Sequence, residues 1–497
     1  MPAHIIPAPQ TMTALDGHVP LITSHDLDAI ALAVADWAPG AAARLEAFAQ
    51  VLAASETDIL YVDDLPTGED DQDAQDSSDH SSEVENFAMT AARREDIPAE
   101  GFNLTLSPAE LLIEASDASG ALYAVNALIQ ALSTPNLEPF AASSAPQYPV
   151  RGQHLDIARH FFGIEDIKRV IDIASTYNLN RLHLHLSDDQ GWRIEIDGLP
   201  QLVQKASTND ATGGKGGYLT FEDYEEIQNY AELYGMTVVP EIDLPGHTNA
   251  LIVAMPELSP DGKPREPYAG IEVGFSWVDL TSDATWKALE TIISSLAQRT
   301  HGEYLHIGGD EVLQVERPQY EAFMERLGAL TAAQGKKVVA WHETAGATQP
   351  EDTQLQFWTA NFNTENLERV GNTPGLQFIA SPAPHTYLDL KPVEGFDIGL
   401  EWAGIVTLDK AYNWVPGEAV PVPAEKIVGV ESCLWSETVK TFDNITTLLL
   451  PRLPAVASVA WGSPSDFDQF TTSLVSHGAT WTAQHLEFYH APEVDWV

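Results

Sequence analysis

The sequence predicts an α/β protein: a (β/α)8 TIM-type barrel over residues 149–497, preceded by a smaller α/β domain over residues 1–148. Three observations predict it. Eight apolar runs of strand length lie from Arg151 onward, helix-like stretches separate several of them, and polar side chains gather where the runs end. Strands that alternate with helical spacers call for parallel pairing, and eight such strands fit a closed barrel better than an open sheet.

In chain order, "HDLDAIALAVADWAPGAAARLEAFAQVLA" is Ala-rich and helix-like. "FNLTLSPAELLIEAS" predicts two short strands around a turn at Ser107-Pro108. "DASGALYAVNALIQAL" has apolar residues at helical spacing, with Asp117 as the N-cap. Between these units, residues 63–85 carry ten acids and no Lys or Arg, a composition expected of a loosely held surface loop. "SSAPQYPV" predicts the linker.

The barrel strands follow: "GQHLDIA", "RLHLHLS", "TVVPEIDL", "EYLHIGG", "KVVAWHE", "LQFW", "LQFIAS" and "IVGVESCLW". The expected helices are "EDIKRVIDIASTYN", "FEDYEEIQNYAELYG", "ATWKALETIISSLAQRT" and "QYEAFMERLGALTAAQG". After "LQFIAS" the connection is long and irregular, with no full helix to place. Strand-end polar residues are Asp156 and Arg159; Ser187, Asp188 and Asp189; Asp243 and His247; Asp310 and Glu311; His342 and Glu343; Trp358; and Trp435, Ser436 and Glu437. Seven of eight strand ends carry such groups, and in this architecture those ends line the active site.

Composition narrows the function classes. Among 497 residues, 73 acids oppose 25 Lys plus Arg, a formal net charge of −48. Such a surface repels nucleic acid and anionic membranes. It suits a solvated acidic exterior, and a cationic substrate such as a chitosan fragment is the alternative. The single cysteine, Cys433, cannot form an intrachain disulfide and is expected as a buried small hydrophobe. The N-terminus has no basic segment followed by a long apolar one, and no run approaches the roughly 20 apolar residues of a membrane span. The expected location is cytoplasmic. No oligomeric interface is legible.

Carboxylates next to tryptophans suit a carbohydrate site, because sugar C–H faces stack on indole and hydroxyls bond to carboxylates and Arg. "RGQHLDIARHF", "HLHLSDDQGWRIEI", "PEIDLPGHTNA", "HIGGDE", "TYLDL" and "LWSE", in this order, resemble glycoside hydrolase family 20, the β-N-acetylhexosaminidases. The resemblance runs from about Arg151 to residue 462 and extends more loosely to the N-terminal unit, which is similar to the small α/β domain preceding the barrel in that family.

The resemblance implies exo-acting, retaining hydrolysis of terminal β-linked GlcNAc or GalNAc, in which the 2-acetamido carbonyl oxygen attacks C1 and forms an oxazolinium ion. It implies Glu311 as acid/base, Asp310 as the group that grips the acetamido N–H, and Tyr387 as donor to the acetamido oxygen. Asp188 and His247 would tune Glu311, with Asp243 and His306 in support. Arg159 would hold O3 and O4, Glu437 O4, and Asp389 O4 and O6. Trp341, Trp358 and Trp435 would wall the acetamido pocket. No cofactor or metal is implied. Adjacent acids normally point to opposite faces of a strand. Both reach one site only if the strand ends there, and Gly308-Gly309 would free the backbone and let the sugar approach. Two neighbouring carboxylates also push their pKa values apart.

One departure is "HLHL", with Leu184 where the family often has Trp; its side chain should face away from His183 and His185. Another is "KPREPYAGIEVGFSWVDL", which leaves the region beyond the terminal sugar undetermined. Three other readings compete. A disaccharide-releasing member of the family would keep Asp310 and Glu311. A metal-dependent barrel hydrolase would use His183, His185, His247 and His306, although the H-x-H pair of such enzymes usually ends the first strand, not the second. A non-catalytic sugar-binding barrel would keep the aromatics and lose the acid/base.

Overall fold

A computed structural model describes residues 3–54, 87–362, 366–367 and 370–496. The acidic stretch 63–85 lies outside the described residues. The chain divides into two compact units, one formed by residues 1–5 and 9–145, the other by residues 6–8 and 146–497.

The first unit holds a five-stranded sheet of β1 (Thr11–Ala14), β2 (Ala88–Arg93), β3 (Phe102–Leu106), β4 (Glu110–Ala115) and β5 (Phe140–Ser144), in the order β1-β5-β3-β4-β2. β3 and β4 pair antiparallel across the Ser107-Pro108 turn, as the sequence predicts. β1, β2 and β5 carry small residues (Ala, Ser, Thr) in place of the alternating large apolar side chains of β3 and β4, so alternation alone did not expose them. The helix Ala118–Leu132 begins at Asp117, whose carboxylate accepts from the Gly120 amide. The expected long N-terminal helix is two helices, Ser24–Val34 and Pro39–Ala54. Pro39 opens the second one, where a proline costs no hydrogen bond but disfavours helix in the residue before it.

The second unit is a closed barrel of eight parallel strands. They are β6 (Val150–Asp156), β7 (Arg181–His185), β8 (Thr237–Glu241), β9 (Tyr304–His306), β10 (Lys337–Trp341), β11 (Gln354–Phe357), β12 (Gln377–Ala380) and β13 (Ile427–Leu434). β13 pairs with β6, and β9 with β10, closing the ring. All eight coincide with the predicted runs. The four predicted helices span Ile164–Thr176, Phe221–Leu233, Asp283–Arg299 and Arg317–Ala333. The irregular stretch after β12 contains only short helical segments, at Ala383–Thr386, Leu408–Tyr412, Pro416–Ala419 and Ala424–Lys426.

Period-two alternation sorts the strand side chains. Leu182 and Leu184 are fully buried in the main apolar core, which includes helix residues such as Ile167, Val170 and Ile171. Leu184 is therefore packing. His183 and His185, on the other face, meet Glu431 and Glu241 from strands β13 and β8. Val150, Val239, Val339 and Ile379 form a small separate apolar cluster. Beside this cluster the lumen holds buried polar side chains, among them His183, His185, His306, Glu241 and Glu431, in place of the branched aliphatic filling usual in this architecture. Among the described residues, no helix is long and apolar enough to cross a membrane.

Candidate active site

β9 stops at His306, four residues before the acid pair. Gly308, Gly309 and Glu311 all have positive φ, at 66°, 115° and 53°. This irregular backbone removes the strand alternation that would separate Asp310 from Glu311. A Cβ on Gly308 would lie 1.7 Å from Asp243 Oδ1, and one on Gly309 2.4 Å from Thr344 Cγ2. The two glycines thus make room for protein side chains.

His247 faces both acids, its Nε2 3.9 Å from Asp310 Oδ2 and 3.6 Å from Glu311 Oε2. Its Nδ1 contacts Asp188 Oδ1 at 3.2 Å. Asp188 is a hub: its Oδ2 also binds Arg159 Nη2 at 2.8 Å and His185 Nε2 at 2.7 Å. Burial works against charge on His247, yet Asp188, Asp310 and Asp243 hold its pKa well above the ordinary value. Asp243 accepts from the Gly309 amide at 3.0 Å. Burial first, then the Asp310 charge, pushes the Asp243 pKa well up. Asp310 is raised less, by burial, with His247 pulling the other way.

The aromatic residues converge from three strands and the β12 loop. Trp358 and Tyr387 are stacked with centroids 6.3 Å apart, and Trp435 lies 6.2 Å from Tyr387 and 5.8 Å from Trp341. Arg159 lies over Trp435 at 4.8 Å. Trp341 is fully buried, whereas Trp358 and Trp435 keep 6% and 8% exposure. Asp389 and Glu437 are close enough that, after burial, the Glu437 charge raises Asp389 well above the carboxylate range. Among the described residues, Asp310 Oδ1, both oxygens of Asp389 and Glu437 Oε2 are buried without a hydrogen-bond partner at bonding geometry.

Three residues here carry no assigned role in the sequence reading. Glu343 accepts from Trp358 Nε1 through both carboxylate oxygens at 3.1 Å; its position at a strand end was the available signal. Trp402, half exposed, packs edge-on at 5.7 Å from both Trp358 and Tyr387, and sits in a stretch with no strand or helix pattern to place it. Glu241 gathers His185 Nδ1 at 2.5 Å, Trp341 Nε1 at 2.8 Å, His306 Nδ1 at 2.9 Å and His183 Nε2 at 3.2 Å. His306 thus lies in the barrel lumen, edge-on to Trp341 at 4.9 Å. The H-x-H pair that suggested a metal is engaged by Glu241, Glu431 and Asp188.

This network titrates. Burial disfavours charge on His183 and His185, but Glu431 and Glu241 hold His183 up to about 9, and Glu241 and Asp188 hold His185 up to about 10. A histidine with a folded pKa above its unfolded one stabilises the fold below the unfolded value, about 6.5, and loses that contribution as pH rises through the folded value. The melting temperature is therefore expected to fall between about pH 6.5 and 10. His183→Gln, which cannot titrate, should fall less steeply over the same scan; an unchanged slope would remove His183 from the account.

The sequence matches glycosyl hydrolase family 20, catalytic domain, over residues 148–464, and domain 2 of the same family over residues 3–144. The chain belongs to glycosyl hydrolase family 20. Within the family it is 38% identical over 412 residues to a β-N-acetylhexosaminidase from Cellulomonas fimi, covering 81% of this chain and 83% of the relative. The family 20 β-N-acetylhexosaminidase of Streptomyces coelicolor superposes with a TM-score of 0.84 at 31% identity, covering 100% of this chain and 99% of that one. A mutant Streptomyces plicatus β-hexosaminidase in complex with product (GlcNAc) gives 0.82 at 32% identity, with 100% and 98% covered. This family 20 chain is a glycoside hydrolase.

Proposed function

We propose that the chain is an exo-acting, retaining β-N-acetylhexosaminidase that removes terminal β-linked GlcNAc or GalNAc by substrate-assisted catalysis. One observation carries the reading: buried carboxylate oxygens of Asp310, Asp389 and Glu437 lack partners among aromatic walls. A buried acceptor without a donor is costly, and sugar hydroxyls and an amide N–H are donors of the right kind.

In the first step the substrate's acetamido oxygen attacks C1 while Glu311 gives its proton to the leaving oxygen. The C1–O bond breaks and an oxazolinium ion forms. Asp310 accepts from the acetamido N–H and offsets the positive charge growing there, and the Tyr387 hydroxyl donates to the attacking oxygen. In the second step Glu311 removes a proton from water as it attacks C1, which reopens the ring with the β-configuration retained. Arg159 and Glu437 hold the hydroxyls at C3 and C4, and Asp389 those at C4 and C6. Trp358 and Trp435 line the acetamido pocket, and Trp341 backs it from the lumen. Asp188 couples the two ends, because it binds both Arg159 and His247. Every residue given a role lies between Arg159 and Glu437, so the N-terminal domain, residues 1–148, is read as non-catalytic.

The test compares aryl β-glycosides of N-acetylglucosamine and glucose. Release from the first alone is the expected result. Similar rates on both would mean an enzyme-borne nucleophile, and release from neither would overturn the exo-acting, single-sugar reading in favour of disaccharide release.

A further inference from the structure

Two arginines of the barrel unit, Arg193 and Arg452, are fully buried. A guanidinium has five N–H donors, and a buried one ordinarily meets a carboxylate. Here five bonds from each go to backbone carbonyls. Arg193 Nε and Nη2 donate to Ala158 O at 3.2 and 2.6 Å, and its other bonds reach Ser207 O, Asn209 O and Gly217 O at 3.2, 2.7 and 3.2 Å. Arg452 Nη2 donates to Leu388 O at 2.6 Å and Nη1 to Leu390 O at 2.7 Å. Its other bonds reach Val406 O at 3.0 Å and Leu448 O at 2.8 and 3.2 Å. Burial draws the pKa of Arg193 down to about 10 and that of Arg452 down to about 9, which leaves both cationic at neutral pH.

Helix stability does not account for Arg452. It is the first residue of the helix Arg452–Trp461, the end where the helix dipole disfavours a cation. Space for Arg193 is built into the chain, since a Cβ on Gly191 would lie 2.1 Å from the Arg193 Cζ. The carbonyls themselves suggest the reason. Ala158 precedes Arg159, and Arg159 O accepts from the Ala211 amide at 2.8 Å, within the segment 207–217 that Arg193 also holds. Leu388 and Leu390 flank Asp389. Ala158, Leu388 and Leu390 lie outside the strands and helices, so no regular ladder sets their direction.

We propose that Arg193 and Arg452 are positioning residues for the terminal sugar: Arg193 aims Arg159 at O3 and O4, and Arg452 aims Asp389 at O4 and O6. The inference rests on the sugar contacts proposed above. Each arginine acts through the backbone beside a residue that meets the sugar. A planar fan of five donors fixes carbonyls in several directions at once. A lysine ammonium, with three donors on a flexible stem, does not reproduce that geometry.

The test measures kcat/KM on an aryl N-acetyl-β-glucosaminide and on its 3-deoxy and 6-deoxy analogues. In wild type each lost hydroxyl is expected to cost about tenfold or more, the size of a hydrogen bond to a charged group. Arg452→Lys should bring the 6-deoxy penalty below about threefold and leave the 3-deoxy penalty as in wild type, and Arg193→Lys should do the reverse. Arg151→Lys is the control. Arg151 is also fully buried and donates to the carbonyls of Asn178 and Tyr148 at 2.8 Å, but at the start of β6, the end of the barrel away from the site. Its replacement should lower the melting temperature and leave both penalties as in wild type. Circular dichroism checks that each variant is folded at the assay temperature, and a glutamine variant replaces a lysine variant that is not. Failure of both to fold at one position marks that arginine as structural and overturns its role. Penalties unchanged in Arg193→Lys and Arg452→Lys, or falling alike in all three variants, overturn the proposal. Wild-type enzyme that shows no penalty for either hydroxyl overturns the sugar contacts themselves, a distinct result.

Discussion

Glu311→Gln is expected to lower kcat/KM about 10²- to 10⁴-fold on an N-acetylglucosaminide with an unactivated alcohol leaving group, the range general acid–base catalysis supplies. With a dinitrophenyl leaving group, which departs without a proton, the first step should lose far less. Gln keeps the volume and one acceptor of Glu, so the 3.6 Å approach of His247 Nε2 is preserved and the loss reports the proton. The second step still needs a base to deprotonate water. Turnover of the activated substrate should then stall after the first step and recover with azide, an anionic nucleophile that needs no base. Pre-steady-state release of the phenolate separates the two steps. Equal losses on both substrates would assign the acid to another residue.

The barrel was legible because each strand-length run carries apolar residues on its helix-facing side, as Leu182 and Leu184 do, and is followed by polar residues at its end. The first unit was only half legible. β3 and β4 alternate cleanly around a proline turn, whereas β1, "TMTA", has no buried face to write into its sequence. The site divides in the same way. Residues beside glycine turns or in aromatic motifs stand out from their neighbours, so Asp310, Glu311, His247 and Trp435 were named from sequence. Glu241 did not stand out. It lies on the strand run "PEIDL", and only barrel closure shows that its carboxylate gathers three histidines and Trp341 from other strands. Trp402 was hidden for the opposite reason: it sits in irregular chain, where no periodicity says which way a side chain faces.

The largest test of the substrate-assisted reading is Asp310→Asn. Asn is isosteric and keeps a carbonyl that can accept from the acetamido N–H, so ground-state binding should change little. What it lacks is the negative charge, and that charge matters only as the acetamido nitrogen turns positive on the way to the oxazolinium ion. Asp310 sits in a buried site where charge is weakly screened, so its loss should cost about 10²- to 10³-fold in kcat, comparable to removing one preorganised electrostatic contact, with KM nearly unchanged. The effect should not depend on the leaving group, in contrast to Glu311→Gln, because the charge on nitrogen develops whatever departs. Glu303→Gln, with a 73% exposed side chain, should change kcat less than twofold and controls for the charge lost from an already acidic protein. His247, held cationic partly by Asp310, should also lose some of its raised pKa in Asp310→Asn, which an NMR titration of that imidazole would detect. A near-normal kcat on N-acetyl substrates would remove Asp310 from the chemistry. A loss confined to KM would make it a binding group for the ground state alone.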